Sequence, residues 1–187
     1  MGTPYNYKEN TMPNWCMNEV EIKGNPEVLK KLVERINKDG LLNSIKPLPK
    51  ELKDLPSPPE SKEIEEKMME KYGAKDWYDW SVKNWGTKWE IDNEGLTVNL
   101  EGENLHLVFN SAWSPPVVAM NTLLLADCVD ELRLSYFEPG ACFAGVYDNG
   151  INTTLEDVDE MSNETGLMAE LEERFGISGW YEDCEEE

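Results

Sequence analysis

Apolar and polar side chains alternate with a period of two in several segments of the chain. Alternation of this kind is typical of strands that bury one face of a sheet. Gly102 and Glu103 separate two of the segments, so we expect those two to form a hairpin. The predicted strands cover residues 15–23, 95–101, 104–110, 131–137 and 142–147.

Segments with the 3.6-residue period of a helix lie between these strands. Asn25 is placed to cap a helix over 26–38, and Gly40 follows its end. Ser114 is placed in the same way before a second helix over 115–127. A polar cap before an apolar stripe and a glycine after it are the usual end signals of a helix.

The order of these elements predicts an α+β fold of the ferredoxin-like, split βαβ type, with an antiparallel sheet and two helices on one face. We expect an N-terminal extension at 1–11 and the ferredoxin-like domain at 12–150. Residues 41–86 form a helical insertion between the first helix and the second strand. Residues 151–187 form an acidic strand and helix extension of the same domain, mainly helical. The extension or the insertion is expected to cover the second face of the sheet.

Charge is distributed unevenly along the 187 residues. The net charge is −21, and residues 1–88 hold equal numbers of acidic and basic side chains. Residues 89–187 hold 23 acidic residues against Arg133 and Arg174. Such a surface repels nucleic acid and anionic membranes and attracts basic proteins. Solubility alone is the alternative role for this charge. The candidate partner-binding residues are Glu156, Asp157, Asp159, Glu160, Glu170 and Glu173.

Tryptophan is concentrated between residues 77 and 113, which contain five of the seven tryptophans. One interpretation is a satellite core that joins the insertion to the sheet, with Trp85, Trp89 and Trp113 mostly buried. The other is a pocket, because tryptophan and tyrosine are favoured at binding hot spots. The candidate pocket residues are Asn84, Trp85, Lys88, Trp89, Trp113 and Glu138.

Sequence signals for catalysis, metals and cofactors are weak. His106 is the single histidine, and no C-x-x-C pair, P-loop, G-x-S-x-G or dinucleotide motif occurs. We therefore expect no metal, no cofactor and no catalytic residue, although an unrecognised activity stays open. No apolar run approaches the ~20 residues of a membrane span, so we expect a cytoplasmic protein.

Four short motifs occur in order along the chain: MPNWCMN at 12–18, NWGTKW at 84–89, AWSPP at 112–116 and YFEPG at 136–140. Together they resemble those of the YubB-type ferredoxin-like domain family of phage, prophage and plasmid proteins. The resemblance runs from residue 12 to about residue 147. It implies a ferredoxin-like fold and a mobile-element origin, and it implies no activity.

Two functional hypotheses follow. In the first, the chain is a non-enzymatic phage or mobile-element accessory protein that binds a basic protein surface. It would mimic nucleic acid and inhibit a host nucleic-acid-binding or defence protein in the host cytoplasm, without touching nucleic acid itself. In the second, the tryptophan-rich junction is a pocket for a small ligand or nucleotide derivative, or the site of an unrecognised enzyme. The oligomeric state is not predicted.

Overall fold

The computed structural model describes residues 14–126, 129–159 and 166–182. Within these ranges the chain forms one six-stranded antiparallel sheet with helices packed against it, so the α+β prediction is confirmed. The strand order is β2-β3-β1-β4-β5-β6. The strands are β1 (Trp15–Gly24), β2 (Thr97–Glu101), β3 (Asn104–Ala112), β4 (Val129–Glu138), β5 (Phe143–Asp148) and β6 (Ile151–Leu155). The predicted extension at 1–11 lies outside the described residues.

Strand β1 lies between two strands that come much later in the chain. Its Glu21 is opposite His106 of β3 on one side and Arg133 of β4 on the other. Strands β2 and β3 form the predicted hairpin, with Gly102 at a φ of 61° in the turn. Because side chains alternate across a strand, this register places Glu21, His106 and Arg133 on the same face of the sheet.

The helices begin and end close to the positions that the sequence predicts. Asn25 and Asp76 accept hydrogen bonds from backbone N–H groups of the first turn, as N-caps do. A single 3₁₀ turn occupies Asn93–Gly95. The helices are α1 (Pro26–Asp39), α2 (Leu41–Ile45), α3 (Lys50–Lys53), α4 (Lys62–Tyr72), α5 (Trp77–Trp85), α6 (Val117–Leu124), α7 (Gly166–Phe175) and α8 (Ile177–Glu182). None of the described helices is long and apolar enough to cross a membrane.

Ser114 does not cap α6, which corrects one prediction. The helix begins at Val117, and the Ser114 hydroxyl instead donates to the carbonyl of Gly86 over 2.7 Å. Pro115 and Pro116 follow Ser114 and have no N–H to donate, so the Ser114 side chain lacks backbone N–H groups that a capping side chain normally accepts. The hydroxyl therefore joins the segment before α6 to the end of α5.

One face of the sheet carries the larger core. Apolar residues of α1 and α6 pack with those of β1, β3 and β4 in one buried cluster, which also contains apolar residues of the insertion. The insertion therefore covers this face and not the second one. Representative members are Val20, Leu29, Leu42, Leu52, Trp80, Trp85, Leu107, Met120 and Leu134.

The second face is covered over β4 and β5 by the C-terminal helices. Phe137 and Val146 of the sheet pack against Met168 and Leu171 of α7 and Ile177 of α8. Over β2 and β3 the polar residues of this face stay exposed or half-buried, and Val108 is exposed. The C-terminal extension therefore provides the cover that this face needs.

Residues 151–155 form strand β6, although we expected residues 151–187 to be mainly helical. The signal for this strand is the preceding pair Asn149 and Gly150, both at positive φ (44° and 98°). An Asn-Gly pair favours the tight turn of a two-residue hairpin, and β-branched residues such as Ile151 and Thr153 favour a strand.

Candidate functional site

An exposed acidic surface lies where the chain leaves β6 and on α7. Val158 is buried in the smaller cluster, and its N–H donates to the carbonyl of Cys142 over 3.0 Å. This anchor leaves its neighbours Asp157 and Asp159 exposed. We define the acidic surface by four exposed residues, Glu156, Asp157, Asp159 and Glu173. The candidate residue Glu160 lies outside the described residues.

Glu170 belongs to the fold rather than to this surface. Its carboxylate lies 2.7 Å from Nη2 of Arg133 and 3.4 Å from Nε of Arg174. It is half-buried between the sheet and α7. The sequence shows that Glu170 is acidic, but its partners depend on where α7 packs. We therefore remove it from the set of partner-binding candidates.

Both arginines of residues 89–187 are surrounded by carboxylates. Arg133 also contacts Asp148 at 2.6 Å, and Arg174 contacts Glu19 at 3.1 Å and Glu21 at 3.0 Å. These ion pairs join α7 to the two central strands of the sheet, β1 and β4. They also use the cationic groups of this half internally, so that no described Lys or Arg beyond residue 88 compensates the acidic surface.

Glu19 is the centre of this ion-pair network. Besides Arg174, its carboxylate lies 2.7 Å from Nε2 of His106. Partial burial raises the pKa of Glu19, but the hydrogen bonds and charges of His106 and Arg174 together outweigh burial and hold it below its ordinary value. The carboxylate is therefore ionised at neutral pH, as the ion pairs require.

Among the described residues, no group of three or more acidic, histidine or cysteine side chains is arranged to hold a metal ion.

An aromatic cluster with one cation lies where the insertion meets the sheet. The Lys88 Nζ atom lies 4.3 Å from the ring centre of Trp113, 4.6 Å from that of Trp89 and 5.8 Å from that of Tyr78. Trp15 packs on Trp89 with ring centres 6.4 Å apart. The structure thus brings together three of the candidate pocket residues, Lys88, Trp89 and Trp113. Beside them lie Trp15 and Tyr78, which are not among the residues predicted for the pocket.

Trp113 is 44% exposed, so the expectation that it is mostly buried is wrong. It follows the last residue of β3 and has a φ of 70°, a left-handed conformation that is rare for a bulky residue. Its N–H donates to the carbonyl of Asn14 over 2.9 Å. The exposed ring therefore sits on a left-handed backbone conformation, which the hydrophobic pattern of the sequence does not predict. Trp89 is half-buried.

Buried polar contacts hold the backbone on both sides of Trp113. The Ser111 hydroxyl donates to the carbonyl of Ser114 over 2.8 Å, and the Thr87 hydroxyl donates to that of Ala112 over 2.8 Å. The side-chain amide of Asn18 donates to the Ser111 hydroxyl over 2.8 Å. These contacts lie at the end of β3 and fix the direction in which the chain leaves the sheet.

The other candidate pocket residues have structural roles elsewhere. Trp85 is 2% exposed, and its indole N–H donates to the carbonyl of Lys46 over 2.9 Å. Asn84 donates to the carbonyl of Trp80 one helical turn earlier. Glu138 is buried and accepts the N–H groups of the turn between β4 and β5. Asn84 therefore stabilises helix α5, Trp85 joins α5 to the residue that follows α2, and Glu138 stabilises a turn.

Comparison with known proteins gives little further information. No protein-family model matches the chain, and no curated protein matches it. The chain is similar to one solved structure, the crystal structure of a protein api92 from Yersinia pseudotuberculosis, of the family DUF1281. The two are 13% identical with a TM-score of 0.43, and the match covers 78% of this chain and 98% of that one. The resemblance to the YubB-type family stays a prediction.

Proposed function

We propose that this protein is a non-enzymatic binding protein whose acidic surface captures a basic protein. The observation that carries the proposal is the enclosure of Arg133 and Arg174 by carboxylates. With these two cations paired internally, neither of them offsets the charge of the exposed carboxylates of the acidic surface. Fields of one sign speed the association of oppositely charged surfaces and help to select partners.

The proposed partner is a protein with a groove that otherwise binds nucleic acid. Carboxylates present the same sign of charge as phosphates, so one basic groove is complementary to both. In this proposal the protein inhibits by occupying that groove. The mobile-element origin implied by the four sequence motifs is consistent with such a role and belongs to the same proposal.

The fold that presents the surface is, in the same proposal, ferredoxin-like. Support comes from the order β2-β3-β1-β4 with every neighbouring pair antiparallel. Helix α1 follows β1, and α6 follows β3, as in two βαβ halves. Strands β5 and β6 then extend the sheet beyond β4 and lead to the acidic surface.

The test is a capture experiment with two charge-reversed variants. One variant replaces the four residues of the acidic surface by lysine. The matched control replaces four exposed glutamates within residues 1–88 by lysine, so that both variants change the net charge by the same amount. The control positions are Glu34, Glu60, Glu66 and Glu70.

Immobilised protein is exposed to lysate, and the captured protein is identified and measured at about 0.1 M and about 1 M salt, where the Debye length falls from ~10 Å to ~3 Å. We expect capture at low salt, release at high salt, displacement by duplex DNA, loss in the acidic-surface variant and retention in the control. Equal loss in both variants would show that only net charge matters. Capture that neither salt nor duplex DNA reverses would also contradict the proposal.

A further inference from the structure

The ammonium group of Lys88 has an unusual environment. It lies over the rings of Trp113, Trp89 and Tyr78, and the side chain is half-buried. In the part of the chain that the structure describes, Lys88 forms no ion pair and its Nζ atom forms no hydrogen bond, so the three rings are its contacts. The attraction of a cation to aromatic rings holds the group in place.

The rings do not satisfy the hydrogen-bonding capacity of this group. An ammonium carries three N–H donors and prefers charged or strongly polar acceptors. Contact with ring faces gives electrostatic attraction without an oxygen acceptor. The group is therefore oriented by the protein and is left able to donate to an anion.

Two exposed indole rings belong to this cluster: Trp113 contacts the cation, and Trp15 packs on Trp89, which also contacts it. Trp113 is 44% exposed and Trp15 is 46% exposed. Tyr78 packs edge-on against Trp113, with ring centres 6.4 Å apart. Exposed aromatic faces held by neighbouring rings are good stacking surfaces for a planar group, because little conformational entropy is lost when a rigid ring binds.

The left-handed backbone at Trp113 adds an independent observation. A φ of 70° at a tryptophan is unfavourable, and the hydrogen bonds of Ser111, Thr87 and Asn14 hold it there. Strained conformations of this kind cluster at ligand-binding sites. Here the strain places a large ring at the surface and beside a cation.

We propose that Lys88, Trp113 and Trp15 form a binding site for a small ligand with a planar ring and an anionic group. The ring stacks on the exposed indoles, and a phosphate or carboxylate accepts N–H groups of Lys88. A cationic ligand is disfavoured, because the Lys88 ammonium lies beside these rings and would repel it. None of these three residues belongs to the acidic surface, so this proposal does not depend on that of the acidic surface.

The test compares probes that carry the ring, the anion or both. Adenosine 5′-monophosphate and 2-naphthoate carry both, whereas adenosine and inorganic phosphate each carry one. Binding to the full chain is followed by NMR through the indole N–H signals, with Trp113→Phe and Trp15→Phe used to assign two of them. We expect saturable shifts of these two signals with the combined probes, at least about tenfold tighter than with either single-feature probe, as a charged hydrogen bond would provide.

The combined probe that binds more tightly is then used to test the role of Lys88. Lys88→Gln should weaken that probe by about tenfold or more, and Lys88→Arg should retain most of the affinity. Lys83→Gln is the matched control, because Lys83 is an exposed lysine of α5 whose ammonium donates to the carbonyl of Gly73. Melting temperatures show whether each variant is folded.

Three results would overturn the site. They are no saturable shift with either combined probe, equal binding of adenosine or phosphate, or unchanged binding in folded Lys88→Gln. If Lys88→Gln does not fold, the comparison of the four probes on the unaltered chain decides the question by itself.

Discussion

Arg174 on helix α7 lies 3.1 Å from Glu19 on strand β1, measured from Nη1 to Oε2. This contact connects the acidic C-terminal segment to the centre of the sheet. The same guanidinium also contacts Glu21 at 3.0 Å. One arginine therefore links α7, which covers part of the second face of the sheet, to strand β1.

Arg174→Gln should loosen α7 without unfolding the sheet. It removes charged hydrogen bonds from two carboxylates and leaves them without their cation, at a cost of about 1–3 kcal/mol. Hydrogen exchange should become faster in α7 and stay slow in β1, β3 and β4. Arg35→Gln, at an exposed position of α1, is the control and should change neither. Unchanged protection of α7 in Arg174→Gln would show that apolar packing alone holds this helix.

Acid should detach α7 before it unfolds the sheet. The pKa of Glu19 is held below its ordinary value in the folded state, so its contribution to stability is present at neutral pH and is lost as pH falls through the lowered pKa. The loss should therefore occur below pH ~4, the ordinary range of a glutamate. Near-ultraviolet circular dichroism should show a transition there that is absent in Glu19→Gln. The same transition in both proteins would assign the effect to other carboxylates.

Tryptophan variants should separate core from surface. Trp85 is 2% exposed and donates a hydrogen bond, so Trp85→Ala should destabilise the fold by about 3–5 kcal/mol. Trp113→Ala should cost clearly less than this, because its ring is 44% exposed. Urea unfolding of both variants measures the difference. Equal costs would mean that the Trp113 ring contributes as much packing as a buried one.

A glycine at position 113 tests the backbone strain directly. Because glycine adopts a φ of 70° at no steric cost, Trp113→Gly should be more stable than Trp113→Ala by roughly 1 kcal/mol. The two variants remove nearly the same side chain, so urea unfolding compares the backbone term alone. Lower stability of the glycine variant would show that the left-handed conformation is not strained here.

Thiol reagents should distinguish Cys142 from Cys16. Burial is the main cause that raises the pKa of the Cys16 thiol far above its ordinary value, so its reactive thiolate is suppressed at neutral pH. Cys142 is only half-buried. Iodoacetamide should modify Cys142 before Cys16 in the folded protein and both residues equally in urea, as followed by peptide mass spectrometry. Early modification of Cys16 in the native state would reveal local opening at the start of β1.

Local sequence patterns predicted most of the strands and helix ends because each depends on a few neighbouring residues. The alternation around Val20 and the cap at Asn25 are of this kind. The sequence predicts a strand within the C-terminal extension but not its position, although Asn149 and Gly150 mark the turn that precedes β6.

The candidate site was harder to predict because it depends on distant contacts. Whether Glu170 is a free surface acid is decided by Arg133, which lies on another element. Whether Trp113 is buried is decided by one backbone angle. The tryptophan-rich composition indicates the segment that contains Lys88 and Trp89, but composition does not distinguish the half-buried Trp89 from the buried Trp85 a few residues away.

The central position of β1 has a consequence for how the chain acquires its structure during synthesis. Of the six strands that the structure describes, β1 is synthesised first, yet both of its neighbours, β3 and β4, come from beyond residue 100. Helix α1 and the β2–β3 hairpin need only nearby residues and are expected to form early, whereas pairing over long separations is slow. Strand β1 therefore stays unpaired longest among the described strands, and completion of the sheet depends on the synthesis of residues beyond 100.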